Sequence, residues 1–337
     1  MVVHTAYEWG NTMRMNSKLD DLLNHGRFAE ATSLLKNHLM AAEIIDPSND
    51  TSWAPYADQI SFKILSDKGQ DAFNVFWQEL LKFFVKDLEP TWGHLHKGHV
   101  LFRLGLARLS DDISAAKKYV EEALDEDQLL EKKRAGGKSV DIEKSIRGYS
   151  SYVTLCIIER IEDEHFDSDI EKQKFFREFF STSFDAAIKG REVNQALVEK
   201  AVNRIVPQEG LEQALGIKRE LDLTFERRLP IATVSLAGAF LESVLLSILY
   251  YKECLRTVKG KSVLEIELGK LLREATEKKD VFPSDAIRAT CQVIHIFRNR
   301  LHPGNELLQK YKLTDRVAAA LKILLDLALV DWARQTK

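Results

Sequence analysis

Apolar residues recur at three- and four-residue steps along almost the whole chain, a spacing that lines one face of an α-helix. Leu19, Leu22 and Leu23, then Ala31, Leu34, Leu35 and Leu39, set the pattern near the start. No sustained run alternates in the manner of a strand built from Val, Ile and Thr, so the sequence predicts no significant sheet. Sixteen Gly and seven Pro among 337 residues are few. They fall where helices should stop: Asp46-Pro47, Glu89-Pro90, Ala135-Gly136-Gly137, Val206-Pro207, Leu229-Pro230 and His302-Pro303. The expectation is an all-α fold of long helices and short joints.

Two runs in the first half read as helix-turn-helix repeats. LDDLLNHGRFAEATSLLKNHL, from Leu19 to Leu39, places Gly26 at the turn, with Ala31 and Leu35 where paired helices need a small residue and then a knob. GHVLFRLGLARLSDDISAAKKYVEEAL, from Gly98 to Leu124, repeats the scheme with Leu104-Gly105, Ala116, Val120 and Ala123-Leu124. Both resemble tetratricopeptide repeats, whose Gly and Ala residues let helices approach closely and stack into a solenoid. The second departs from that pattern, with a Gly105-to-Ala116 interval one residue short and Arg108 where an aromatic is usual. A generic helical bundle is the alternative. Helices over about 54–66 and 70–88 fit between the two runs, without a repeat signature of their own. Further on, VPQEGLEQALG (206–216) collects Pro, Gly and polar residues as linkers do. It divides the chain into an α-helical region, 1–206, and a more apolar domain, 217–337.

Charge and cysteine use exclude several classes. Lys and Arg total 48 against 51 Asp and Glu, a net charge of -3, whereas a chain that grips nucleic-acid backbones over a broad surface is basic as a whole. Cys156, Cys254 and Cys291 lie far apart, without the paired spacing of zinc or redox sites, and read as small buried hydrophobes in a reducing compartment. Met1 to Met15 has neither a basic nor an apolar region of the kind a secretory signal carries. TVSLAGAFLESVLLSILYY, Thr233 to Tyr251, has the length of a membrane span, but Glu242 sits at its middle. A buried helix with one paired or functional carboxylate is the expectation, in a cytoplasmic protein with no membrane segment.

Several local patterns have plain readings. The GGKS at 136–139 lacks the first glycine of a phosphate loop, since residue 132 is Lys132, and reads as part of a charged joint, Glu131 to Ser139. His94, His96 and His99 have no neighbouring thiol or carboxylate to complete a zinc site. EDEHFDSD (162–169) lacks the Gly and terminal Glu of a calcium loop, and Asp167 or Ser168 fits as a helix cap instead. Phe175, Phe176, Phe179 and Phe180 share one helical face, which fits core packing better than base stacking.

The strongest pattern is C-terminal. Pro230 suits the first turn of a helix. Ser235, Gly238, Ala239 and Glu242 then form a stripe of small residues ending in a carboxylate. A second helix, capped by Ser284 and running to His302, places Ile287, Cys291, Ile294, Arg298 and His302 on one stripe, flanked by His295. Arg carries a permanent planar fork for phosphate, and His exchanges protons near neutrality. At i and i+4 the two side chains reach one point, and Glu242 can orient either. The same residues also have a purely structural reading, in which Arg298, Asn299 and His302 tie the helix end to a neighbour and bridge to Glu242.

RLPIATVSLAGAFLESVLLSIL, IELGKLLREA and IFRNRLHPGNE together resemble a HEPN domain (higher eukaryotes and prokaryotes nucleotide-binding) over about 217–337. The resemblance rests on L-A-G-x-x-L-E at Leu236 to Glu242 and R-N-x-x-H-P at Arg298 to Pro303. It implies a compact helical bundle that dimerises so that two Arg/His pairs face one cleft. Many members are endoribonucleases of toxin, abortive-infection or CRISPR-linked defence systems, working without a metal or other cofactor. Carried onto this chain, Arg298 stabilises the scissile phosphate, His302 acts as general base or acid, and Asn299 holds the local geometry. The partners implied are RNA, a second copy of the chain, and a protein received by the helical-repeat region. Active members usually have a longer interval between Arg and His than Asn299, Arg300 and Leu301 provide. Two other readings stand beside this one: a non-catalytic adaptor that dimerises, and an inactive RNA-binding module.

Overall fold

The computed structural model describes residues 17–45, 54–86, 90–109, 112–136, 149–180, 182–188, 190, 192–252, 257–258, 261–262, 267–277, 281–301 and 309–336. Among these the fold is all-α, apart from two-residue strands, β1 (Thr257–Val258) and β2 (Lys261–Ser262), paired antiparallel. α1 (17–24), α2 (Phe28–Ile45), α3 (Ala54–Lys68), α4 (Gln70–Lys86), α5 (Pro90–Arg108) and α6 (Ile113–Arg134) open the chain. From α2 onward each of these packs on the next, and α6 packs on α7 (Tyr149–Glu162). The first core cluster, around Leu19, Leu35, Ile60, Trp77 and Leu80, holds α1 to α5 together.

Glycine plays two different parts in the two repeat-like runs. Gly26 turns the chain between α1 and α2 at φ +66°, where a side chain would be strained. Gly105 instead lies inside α5, and the turn comes later, after Arg108. A Cβ at 105 would stand 2.5 Å from Val120 Cγ2 and 3.1 Å from the Ala116 carbonyl oxygen. Gly105 therefore sets the closeness of α5 and α6, with Ala116 and Val120 on the opposing helix.

α8 (Asp169–Phe179) begins at Ser168, whose hydroxyl accepts the Glu171 N–H. Phe175, Phe176 and Phe179 are buried on one face of it, and Phe180 packs on the same cluster from its end. α9 (Thr182–Ile188), α10 (Gln195–Ile205) and α11 (Gln208–Glu226) follow. The expected joint at 206–216 is narrower than its composition implies. Val206 and Pro207 make the bend, and Gln208 onward is already α11, with Pro207 as its N-cap. Likewise Glu131 to Arg134 continue α6, so that joint begins at Ala135; Gly137 to Ser139 lie outside the described residues.

α12 (Pro230–Ser247) starts with Pro at the first turn, as expected, and passes into a short π-helical turn, Ile248–Lys252. The apolar stretch Pro230–Tyr250 is long enough to cross a membrane, and 61% of its most apolar window is buried inside the protein. α13 (Leu268–Glu277), α14 (Asp285–Asn299) and α15 (Asp315–Gln335) complete the chain. α14 and α15 are apolar on two faces. Val293, Phe297, Leu321 and Leu324 join a cluster with Cys156, Ile157, Phe176 and Phe184 from α7 to α9. Cys291, Ile294, Leu325 and Leu329 join another with Val202, Leu221, Phe240 and Leu271 from α10 to α13. The hydrophobic interior thus runs continuously past residue 207, because α14 and α15 are packed from both sides.

Candidate functional site

The Ser284 hydroxyl caps α14 by accepting the Ile287 N–H at 3.4 Å. From there Ile287, Cys291 and Ile294 are buried one below the other, as the stripe requires. Burial pushes the Cys291 thiol up to about 12, so it is an inert core residue. One turn further, Arg298 leaves the core and crosses the α12 backbone. It can do so because residue 238 is Gly: a Cβ there would meet Arg298 Cγ at 3.0 Å and its Cβ at 3.2 Å, with Cδ nearer still. Glu242, one turn along α12 from Gly238, receives the guanidinium, Arg298 Nη1 donating to Glu242 Oε2 at 2.6 Å.

The structure therefore brings together Glu242 and Arg298, 56 positions apart in sequence. Their side chains remain 34% and 28% exposed for Arg298 and Glu242 respectively. A pair in that much solvent contributes on the order of 0–1 kcal/mol, so its main effect is to orient the fork. Glu242 takes one of the five guanidinium N–H donors, and among the described residues no other side chain takes the rest.

Asn299 and Arg300 point elsewhere. Asn299 Nδ2 lies 2.9 Å from His295 Nε2, one turn back on α14. Donation from the amide fixes the neutral imidazole with its proton on Nδ1, an atom that is buried without a partner among the described residues. The ring lies against Gly269 of α13, where a Cβ would come within 2.8 Å of Nε2. Burial, and then the charge of Arg298, lower the His295 pKa; Glu164, Glu242 and Glu267 oppose that shift without reversing it. Arg300 donates to Glu164 from Nε at 3.2 Å and Nη2 at 2.9 Å, and to Asp163 from Nη1 at 3.0 Å. Part of the acidic run 162–169 thus anchors the end of α14.

Two expectations about this region need correction or fall beyond it. α14 ends at Asn299 with Arg300 as its C-cap, short of the expected end at His302. His302 itself, with Pro303, lies outside the described residues, as does Cys254. Of the three N-terminal histidines, His99 faces Trp77, with ring centroids 6.0 Å apart, and Asp58 at 4.0 Å. His94 and His96 lie in α5, but their side chains are outside the described residues.

Sequence reasoning placed His295 only as a flank of the stripe and missed its packing on α13, although a glycine inside the helical run IELGKLL is the local sign that something packs closely there. It also passed over a network of two lysines and two aspartates, buried except for the half-buried Asp222. Lys218 Nζ meets Asp222 at 2.6 and 2.7 Å and Asp326 at 3.4 Å. Lys322 Nζ meets Asp326 at 2.6 Å and Asp222 at 3.0 Å. The signal was a Lys four residues before an Asp on each of α11 and α15. Burial lowers the Lys322 pKa, but Asp326 and Asp222 outweigh it and the net shift is upward, so the ammonium stays charged. Comparison of the chain with protein-family models, curated proteins and solved structures returns no match.

Proposed function

We propose that residues 217–337 form a HEPN-like bundle that cleaves RNA without a metal, and that the tetratricopeptide-like region, 1–206, receives a protein partner that controls it. The observation that supports this is Arg298 itself. Its stem is seated on Gly238, its fork is oriented by Glu242, and it stays a third exposed at the protein surface. A rigid, solvent-facing guanidinium with unused donors is what a scissile phosphate needs. In this reading the 2′-hydroxyl attacks the adjacent phosphorus as His302 accepts its proton. The P–O5′ bond breaks as the leaving 5′-oxygen takes the proton back from His302, giving a 2′,3′-cyclic phosphate and a 5′-hydroxyl. Arg298 offsets the charge that builds on the phosphoryl oxygens, and two copies of the chain supply one cleft.

A second reading, a dimerising adaptor without catalysis, is favoured by the same ion pair, since Glu242 already neutralises Arg298. One experiment separates them. Wild type, Arg298→Ala and His302→Ala are incubated with bulk RNA in chelator, alone and with candidate partner proteins. Cleavage with cyclic-phosphate ends, lost in both variants, supports the nuclease. Cleavage that survives both substitutions removes the proposed site. No wild-type cleavage under any partner condition favours the adaptor. Solution mass tests the shared cleft, which a strict monomer contradicts.

A further inference from the structure

Away from the α12–α14 seam, the α11–α12 turn, the lead into α10 and the first turn of α15 enclose a cavity of about 510 Å³. That is within the size range of sites for small molecules. One wall is the buried ionic network, which presents Asp222 and Lys322, with the Lys322 ammonium 4.8 Å above the centroid of the Phe225 ring. Such a network, buried at Lys218, Lys322 and Asp326, adds little stability over apolar residues of similar volume. It does hold a polar wall rigidly in place. Leu229, Pro230, Ala318 and Ala319 supply apolar surface beside it.

Arg228 is the unusual residue of the lining. It sits just past the end of α11 at φ +54°, the one non-glycine at positive φ among the described residues. Its N–H bonds to the Phe225 carbonyl at 3.0 Å, and the next N–H, of Leu229, reaches Thr224 O at 3.0 Å. This is the helix-ending geometry that glycine ordinarily supplies, and a side chain there costs on the order of 1 kcal/mol. The strain falls at a residue that lines the cavity.

Glu192, Glu226 and Asp315 line the same cavity. None of the three forms an ion pair with Arg228, although all four groups line one concavity. Arg316 also lines it and has interactions of its own. Charges of both signs are therefore held apart around a partly apolar space, with a surplus of carboxylate.

We propose that this cavity binds a small zwitterion of net positive charge: one carboxylate and two cationic groups, an α-ammonium and a second ammonium or guanidinium, on a short apolar frame. That is the chemistry of a basic amino acid or a dipeptide containing one. Arg228 takes the carboxylate, Glu192 and Glu226 take the cationic end, and the frame lies along Phe225 and Pro230. The site is separate from Arg298 and stands whether or not the chain cleaves RNA.

The test uses the full chain and calorimetric titration with L-arginine, L-lysine and lysyl dipeptides. Agmatine, which lacks the carboxylate, and inorganic phosphate serve as comparators. Saturable binding of a zwitterion is expected, with agmatine weaker by roughly tenfold for the loss of one charge-assisted contact. Arg228→Gly is the informative variant, because its backbone conformation suits glycine and folding is preserved or improved. It should bind L-arginine no better than agmatine. Glu192→Gln should weaken both. The proposal is overturned by no saturable binding of any zwitterion at millimolar concentration, by tighter binding of phosphate, or by an Arg228→Gly protein that binds as wild type does.

Discussion

Gly238→Ala puts a methyl group where the stem of Arg298 now lies. The new Cβ would stand 3.0 Å from Arg298 Cγ and 3.2 Å from its Cβ, distances at which one of the helices or the side chain must give way. Arg298 can swing aside only by withdrawing its guanidinium from Glu242. Overpacking of this kind costs about 2 kcal/mol. Loss of an ion pair this exposed adds about 0.5 kcal/mol. Against both, Ala is preferred to Gly within a helix by about 1 kcal/mol. The net is a destabilisation of roughly 1.5 kcal/mol. Arg298→Ala changes the sign. It removes Cγ and Cδ and leaves only the Cβ contact at 3.2 Å, so Gly238→Ala in that background should be neutral or stabilising by up to about 1 kcal/mol. A coupling of about 2 kcal/mol between the two positions follows, large but within the range for residues in contact. Urea unfolding of wild type, both single variants and the double variant measures it, and amide exchange in α12 and α14 locates it. If Gly238→Ala costs the same with and without the Arg298 side chain, then Gly238 is not there to admit Arg298.

Three further predictions concern two helix glycines and His295. Gly105→Ala should destabilise by about 2 kcal/mol, because the obstructing atoms include the Ala116 carbonyl and cannot rotate away; Val120→Ala should recover only part of the loss in denaturant unfolding. Gly216→Ala, in α11 with nothing within 4 Å, should instead stabilise by up to about 1 kcal/mol and serves as the control for helix propensity. His295 titrates below its ordinary value of 6.5 in the folded protein. The unfolded chain therefore binds its proton first, and the folded state loses stability as pH falls below about 6.5. Unfolding free energy measured between neutral pH and pH 5 should show this slope, and His295→Gln should flatten it; the slope that remains belongs in part to His38, whose pKa is also lowered by burial.

Much of the helical framework was legible in the sequence because its causes are local. Ser168 and Ser284 each accept the N–H three residues away, and Pro230 needs only the first turn it occupies. The aromatic face of α8 follows from spacing alone. What was not legible depends on partners distant in sequence. Periodicity identifies an apolar face, but on α14 and α15 it could not say that two opposite faces are covered by two sets of helices. The Glu242–Arg298 pair was anticipated from two stripes that each ended in a charge, whereas the Lys218 and Lys322 network was not. Lysines within an amphipathic helix read as solvated, and only the convergence of α11 and α15 makes their burial affordable.

The last turn of α14 shows how such distant partners change a local expectation. A helix ending at Pro303 would be expected to continue through Leu301, yet Arg300 is the cap, its N–H shared between the Ile296 and Phe297 carbonyls. Its side chain bonds to Asp163 and Glu164 on the turn between α7 and α8, and Asp163 also accepts the Gln309 amide at 3.1 Å. Arg298 is drawn to α12, Asn299 back to His295, and Arg300 to α7, so three consecutive side chains leave in three directions. Each of the first and last is fixed to a different element, and the peptide between them has little freedom to rotate. The position of Arg298 is therefore constrained by the acidic turn at 163–164, through Arg300, as well as by Glu242. Substituting Asp163 and Glu164 with their amides would loosen the helix end from the far side, while leaving every contact between α12 and α14 chemically intact.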